Sequence, residues 1–144
     1  MRKLLRPLLN LHHAYHTRRL ARNVIALCEE IGLTPNLLLD CGAHNSEFAR
    51  PVQHGFPMMR IHSFEPFPSD ATLGHVHEVV LGRERACCNI HNCGAQSFVS
   101  MEGGIEPVFM LDDIVHIEQH QQTIIKVDCE TSTGDVIWGA ADAL

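Results

Sequence analysis

The ten residues 37–46 constrain the fold of this chain more than any other segment. They begin with an apolar run, Leu-Leu-Leu, which stops at Asp40 and is followed by Gly42 and then by small and polar residues. Such a run predicts a buried strand that turns tightly into a helix. A second apolar run, residues 59–64, ends at Glu65. In doubly wound α/β folds, a glycine turn after one strand and an acid at the tip of the next hold a nucleoside through its ribose hydroxyls.

Hydrophobic periodicity predicts further elements along the chain. Apolar residues at helical spacing, Leu20, Val24, Leu27, Cys28 and Ile31, predict a helix whose stripe faces the core. Only one turn of helix fits between strands two and three, where a full crossover needs about 10–12 residues. The predicted elements are a helix at 17–31, strand one at 37–39, strand two at 59–64, strand three at 77–81, antiparallel strands at 86–92 and 97–101, a helix from the acid pair 112–113 to about 119, strand four at 123–128 and a last helix capped by residues 131–133.

Charge is distributed unevenly along the chain. Residues 1–22 carry six basic residues and no acid, and the chain has a net charge of −6, so residues 23–144 sum to −12. An acidic body argues against nucleic acid as the main partner, because neutralising phosphates needs a basic face. No apolar run approaches the roughly 20 residues that a membrane-spanning helix needs, so we expect no transmembrane segment.

Residues 1–34 are expected to form a basic helical segment ahead of a domain at 35–144. Three interpretations stay open for it: an amphipathic helix packed on the domain, an organelle transit peptide, or a contact with an anionic membrane surface. The six cysteines show no regular spacing. Free thiols in a reducing compartment, and hence a cytoplasmic location, therefore fit better than a disulfide framework.

An ordered set of motifs resembles one known family. The motifs are Leu-Leu-Leu-Asp-Cys-Gly-Ala-His-Asn-Ser-Glu-Phe at 37–48, Ser-Phe-Glu-Pro at 63–66, Val-Val-Leu-Gly at 79–82, Ser-Phe at 97–98, Met-Leu-Asp-Asp at 110–113, Ile-Lys-Val-Asp-Cys-Glu at 125–130 and Val-Ile-Trp-Gly-Ala at 136–140. In this order they resemble the FkbM-type family of S-adenosylmethionine-dependent methyltransferases.

The resemblance implies a Rossmann-like class I methyltransferase fold that is truncated after strand four and its following helix. It implies O-methylation of a hydroxyl on a sugar or natural product, with S-adenosylmethionine as cofactor. Asp128 and Glu130 match the family's acids near the cofactor and the acceptor. Six residues match its cofactor-binding positions: Asp40, Gly42, Ala43, Ser46, Glu65 and Pro66.

The sequence departs from the family pattern at two turns. Glycine is expected where Ser46 stands, and usually where Thr131 stands. We expect Ser46 to be a helix N-cap at ordinary helical φ, which would cost little. A β-branched residue resists positive φ, so Thr131→Gly is expected to be neutral or stabilising and to improve cofactor affinity.

Several functional alternatives stay open at the level of sequence. The base for methyl transfer could be Asp128, Glu130 or a nearby histidine. The cluster of histidines and cysteines at 75–93 lacks the regular spacing of a zinc site, so no metal is predicted. A rival interpretation is a non-catalytic remnant. Because the sequence stops at residue 144, such a remnant would leave strand four as an apolar sheet edge for a partner or a second copy.

Overall fold

The computed structural model describes the backbone of residues 2–91, 98–100, 102–129 and 132–141, and the side chains of these residues apart from 2–13 and 98. The helices are α1 (Arg2–Glu30), α2 (Ala49–Gly55) and α3 (Thr133–Trp138), with a short 3₁₀ turn at Leu111–Asp113. The strands are β1 (Leu37–Cys41), β2 (Arg60–Phe64), β3 (His75–His77), β4 (Val80–Leu81), β5 (Ala86–His91), β6 (Phe98–Ser100), β7 (Glu106–Phe109) and β8 (Thr123–Val127).

The first sheet is parallel and has the strand order β3-β2-β1-β8. All five residues of β1 are buried, as expected for a central strand covered on both faces. The chain moves outward from β1 to β3 and later returns to β8 on the other side of β1. This reversal creates a switch point at the carboxyl ends of β1 and β8, where open α/β sheets bind ligands. The predicted strands one, two and four are confirmed.

Predicted strand three is wrong, because the structure divides it between two sheets. β3 ends at His77, and the N–H of Val79 turns back to donate to the His77 carbonyl at 3.0 Å. β4 then joins a second sheet of order β4-β7-β5-β6, in which Val80 pairs with Val108. This pairing buries Val80 and Leu81. The antiparallel pairing predicted between the next two strands is confirmed, as β5 pairs with β6.

Apolar clusters cover both faces of the parallel sheet. On one face, Leu37 and Leu39 pack with Leu111 and Val136. The opposite face packs against α1 and α2 through residues that include Ala21, Leu38, Val52 and Ile61.

Helix α1 turns only part of the predicted stripe to the core: Val24 packs against the apolar cluster and Cys28 is buried, as predicted. Ala21 and Cys28 are buried, whereas Leu20, Leu27 and Ile31 are 52%, 54% and 62% exposed. Small Ala21 allows α1 to approach the sheet closely, and hydrophobicity alone does not reveal that preference. The helix begins at Arg2, within the basic segment 1–34 that was expected to be helical, and well before residue 17, where the apolar periodicity placed its start. Within the described residues, neither α1 nor any other helix is long and apolar enough to cross a membrane.

The helix predicted from the acid pair to residue 119 does not form. Only the 3₁₀ turn Leu111–Asp113 is present, with Met110 as its N-cap. Three β-branched residues follow within four positions, and such residues disfavour continued helix. The capping prediction for the last helix is partly wrong. Ser132 is its N-cap residue but makes no side-chain capping bond, and Thr131 lies outside the described residues.

Candidate functional site

The turn between β1 and α2 folds over the tip of β2. The N–H groups of Gly42 and Ala43 both donate to the carbonyl of Phe64, at 2.9 and 3.3 Å. Gly42 has a φ of +74°. A Cβ atom at this position would collide with the backbone carbonyl of Asp128, just after β8. The fold therefore requires glycine here, whether or not a ligand approaches the turn.

Ser46 is not the helix N-cap that the sequence predicts. Helix α2 begins at Ala49 with Phe48 as its N-cap residue. Ser46 is fully buried with a φ of +59°, and its Oγ accepts a hydrogen bond from the N–H of Leu73 at 2.8 Å. The backbone thus adopts a conformation that favours glycine, and the Oγ contact offsets part of the strain.

Glu65 joins the tip of β2 to this turn. Its Oε2 accepts a hydrogen bond from the N–H of His44 at 3.0 Å, and its Oε1 accepts one from the N–H of Phe67 at 3.3 Å. A carboxylate offers about four acceptor positions, so these two bonds leave others unused. The residue is partly exposed. The acid and the glycine turn are therefore brought together, as their positions in the sequence predict.

Asp40 lies beneath the turn in a buried ion pair that the sequence interpretation missed. Its Oδ1 is 3.0 Å from Nζ of Lys126, and the two side chains are 0% and 9% exposed. Nζ also donates to the carbonyls of Gly42 at 2.6 Å and Cys41 at 3.3 Å. Among the described residues, neither oxygen of Asp40 has a hydrogen-bond partner of good geometry, so its contact with Lys126 is chiefly ionic. Burial raises the pKa of Asp40, and the charge of Lys126 opposes that rise.

The sequence contained a signal for this pair. Lys126 is the only charge in the apolar strand Thr-Ile-Ile-Lys-Val, and its parallel register places it directly opposite Asp40. A lone lysine in a buried strand needs an anionic partner, and the neighbouring strand offers one acid. Lys126 anchors the turn to β8 through the carbonyl of Gly42.

The acids after β8 are only partly described. Asp128 is exposed, and its N–H donates to the carbonyl of Cys41 at 3.0 Å, which places it beside the turn. Glu130 lies outside the described residues. Burial raises the pKa of Cys129 to about 12. The charge of Lys126 opposes the rise, and the charges of Glu65 and Asp128 add to it. The thiol of Cys129 therefore stays protonated at neutral pH.

Only some of the predicted cofactor residues reach the surface. Asp40, Ala43 and Ser46 are buried, so direct contact between their side chains and a ligand would require the turn to open. The partly exposed members of the predicted set are Gly42, Glu65 and Pro66. Together with Asp128 they form the accessible surface of the site.

An open cleft of about 620 Å³ begins immediately after Glu65. It lies between the ends of β2 and β3 and the second sheet, and we call it the intersheet cleft. Of its described lining residues, two are acids and none is basic. The lining consists of residues 66–67, 78–80, 89–90, 105–107 and Phe109.

Three histidines meet on the first sheet, away from the cysteines of β5. Nδ1 of His62 lies 3.0 Å from Nε2 of His77, and the ring of His75 is 4.6 Å from that of His77. Burial lowers the pKa of His62, and it lowers that of His77 to about 4, with the neighbouring histidines adding to both shifts. Within the part of the chain that the structure describes, no group of three or more His, Cys, Asp or Glu side chains could hold a metal ion.

Comparison of the chain with protein-family models, curated proteins and solved structures finds no match. The fold and site therefore define the class directly. The chain is a mixed α/β protein with a parallel sheet, compatible with a Rossmann-like fold.

Proposed function

We propose that this protein binds S-adenosylmethionine at the carboxyl end of the parallel sheet and transfers its methyl group to a hydroxyl. The resemblance alone points to a sugar or natural product as the carrier of that hydroxyl. The observation that carries the proposal is the contact between Glu65 and the N–H of His44, at 3.0 Å. It unites the glycine turn and the acid of the second strand in one site. That combination is typical of nucleoside recognition in doubly wound folds.

The accessible groups fit this cofactor by charge as well as by position. Glu65 retains acceptor positions for ribose hydroxyls. The exposed carboxylate of Asp128 lies at the same edge of the sheet. In the described part of the chain, the adjoining intersheet cleft is lined by no basic residue. Acidic surroundings favour a sulfonium cation and disfavour the pyrophosphate of a dinucleotide, which calls for cationic or unpaired N–H donors.

The chemistry of methyl transfer places two demands on the protein. The acceptor oxygen must approach the methyl group in line, and a base must take the hydroxyl proton. The cofactor supplies an electrophilic methyl group, so no covalent enzyme intermediate is required. Asp128 is the described acid best placed to accept the proton, and Glu130 remains the other candidate.

Calorimetry with S-adenosylhomocysteine tests the proposal. Glu65→Gln removes the charge while keeping one acceptor for the turn, and it should weaken binding by about 1–3 kcal/mol. Glu102→Gln, at an exposed acid outside the site, is the matched control and should bind as the wild type does. Absence of binding to the wild type at high micromolar ligand would refute the proposal.

A second candidate function is a non-catalytic module that self-associates through β8. The observation that favours it is the position of β8 at the end of the strand order, with its one charge, Lys126, turned toward Asp40. An edge strand without an outward charge lacks a common protection against pairing with another chain. Size-exclusion chromatography with light scattering tests this function, and a stable monomer would count against it.

The cytoplasmic location also remains a proposal. The five described cysteines, Cys28, Cys41, Cys87, Cys88 and Cys129, are free thiols. Three of these thiols are buried, which suits a reducing compartment.

A further inference from the structure

The intersheet cleft has the size and lining of a small-molecule site. Its volume of about 620 Å³ falls within the range of roughly 300–1,000 Å³ that ligand pockets occupy. Eight of its eleven lining residues are apolar. Ile105 is 84% exposed and Phe67 is 40% exposed, so large apolar side chains face open solvent there. Exposed apolar surface that lines a concave site indicates a ligand with an apolar body.

The charged groups of the cleft all have the same sign. Glu78 and Glu106 are exposed and lie among the lining residues, and Asn89 is the one remaining polar residue there. Among the residues that the structure describes, no lysine, arginine or histidine lines the cleft to neutralise them. The charge of Glu106 also contributes to the raised pKa of Cys88, after burial. The potential in the cleft is therefore negative, which attracts cations and repels anions.

Aromatic rings add a second preference for positive charge. Phe67 comes from the loop after β2, and Phe109 ends β7 on the other side of the cleft. The face of an aromatic ring attracts an ammonium group, and its body packs against apolar or aromatic carbon. Apolar lining, aromatic rings and two carboxylates thus meet in one cleft.

We propose that the intersheet cleft binds an organic cation, an ammonium group carried on an apolar or aromatic body, as a ligand of its own. The inference goes beyond the proposed methyl transfer and does not depend on it: Pro66 borders both sites, but neither Glu65 nor the glycine turn is among the described residues that line the cleft. Glu78 and Glu106 attract the ammonium group, and the apolar residues contact the body of the ligand.

Three probes of matched size test this inference with the full chain. They are phenethylammonium, neutral 2-phenylethanol and anionic 3-phenylpropionate. Each is titrated into the ¹⁵N-labelled protein at low salt and followed by amide chemical shifts. Phenethylammonium should bind most tightly and shift the amides of Phe67, Val79 and Ile105. Added sodium chloride should weaken its binding, because exposed charges are screened.

Charge-neutral variants locate the contact. Glu106→Gln and Glu78→Gln should each weaken phenethylammonium binding about two- to fivefold, the range expected for an exposed ion pair. The matched control, Glu102→Gln, changes an exposed acid that does not line the cleft, and it should leave affinity unchanged. Both cleft acids are exposed, so thermal melts of their variants should match the wild type.

Three outcomes would overturn the inference. The first is equal affinity for phenethylammonium and 3-phenylpropionate. The second is an equal loss of affinity in Glu102→Gln and Glu106→Gln. The third is displacement of phenethylammonium by S-adenosylhomocysteine, which would make the cleft part of the cofactor site. Cation binding in a protein that fails to bind S-adenosylhomocysteine would uphold this inference while the proposed function fails.

Discussion

Replacing Lys126 with methionine should be among the most destabilising changes in this protein. Methionine keeps much of the side-chain volume but removes the charge that faces Asp40 at 3.0 Å. Asp40 is fully buried and would keep no cationic partner there. Breaking a buried ion pair on one side costs about 3–5 kcal/mol, so we expect Lys126→Met to lower the free energy of unfolding by that amount at pH 7.

The loss should depend on pH in a defined direction. Burial already raises the pKa of Asp40 above its ordinary value of 3.8, and removing Lys126 removes an interaction that lowers it. As the pH is lowered, Asp40 is therefore protonated at a higher pH in the folded variant than in the unfolded chain. The stability of the variant relative to wild type should increase as the pH falls from 7 toward about 4, because the buried carboxyl becomes neutral.

Urea unfolding followed by circular dichroism at several pH values measures both effects. The control is the double variant Asp40→Leu with Lys126→Met, which replaces the whole pair with apolar side chains. It should recover most of the lost stability, since well-packed apolar replacements of buried pairs are often neutral or stabilising. A loss below about 1 kcal/mol, or one that does not change with pH, would refute the assignment of a buried ion pair.

Three further predictions follow from backbone conformation and histidine burial. Because Ser46 has a φ of +59°, Ser46→Gly should be about 1 kcal/mol more stable than Ser46→Ala in thermal melts, and equal stability would contradict the strain. Gly42→Ala should cost more than about 2 kcal/mol, because positive φ and a collision with the carbonyl after β8 act together. His62 and His77 have lowered pKa values in the folded protein, so both side chains bind protons at a higher pH in the unfolded chain. The free energy of unfolding should therefore fall as the pH drops from about 6.5 toward about 4. Solvent screening limits the contribution of His77 to about 1 kcal/mol. His77→Gln should reduce the slope measured by urea unfolding, whereas His54→Gln, at an exposed side chain of α2, should not.

The central strands were predictable because burial on both faces leaves a simple sequence pattern. β1 is covered on both faces, and its sequence is a run of three leucines followed by Asp40. β2 and β8 follow the same rule at lower burial. The boundary between β3 and β4 was not predictable, because β4 pairs with β7, more than 20 residues further along the chain. No local pattern indicates where a strand leaves one sheet for another.

The candidate site and the helix beside it also combine residues that the sequence predicts with residues that it does not. Glu65 and Gly42 were predictable because residue type and position at strand ends indicated a shared edge. The helical stripe of α1 was only partly predictable. Val24 and Cys28 face the core as predicted, but two overlapping stripes satisfy the same period, and close packing selected Ala21 over the larger Leu20. Lys126 was missed because its role depends on register with β1, which the sequence of β8 does not state by itself.

Amide chemical shifts with S-adenosylhomocysteine test the central claim most directly. The N–H groups of His44 and Phe67 donate to the two oxygens of Glu65. A ribose that bonds to the unused acceptor positions of Glu65 draws charge from the same carboxylate, so the largest shifts should fall on these two amides and on neighbouring residues of the turn. The account predicts saturable shifts there that weaken in Glu65→Gln. Saturable binding of S-adenosylhomocysteine with no shift of the His44 or Phe67 amide would contradict the proposed role of Glu65.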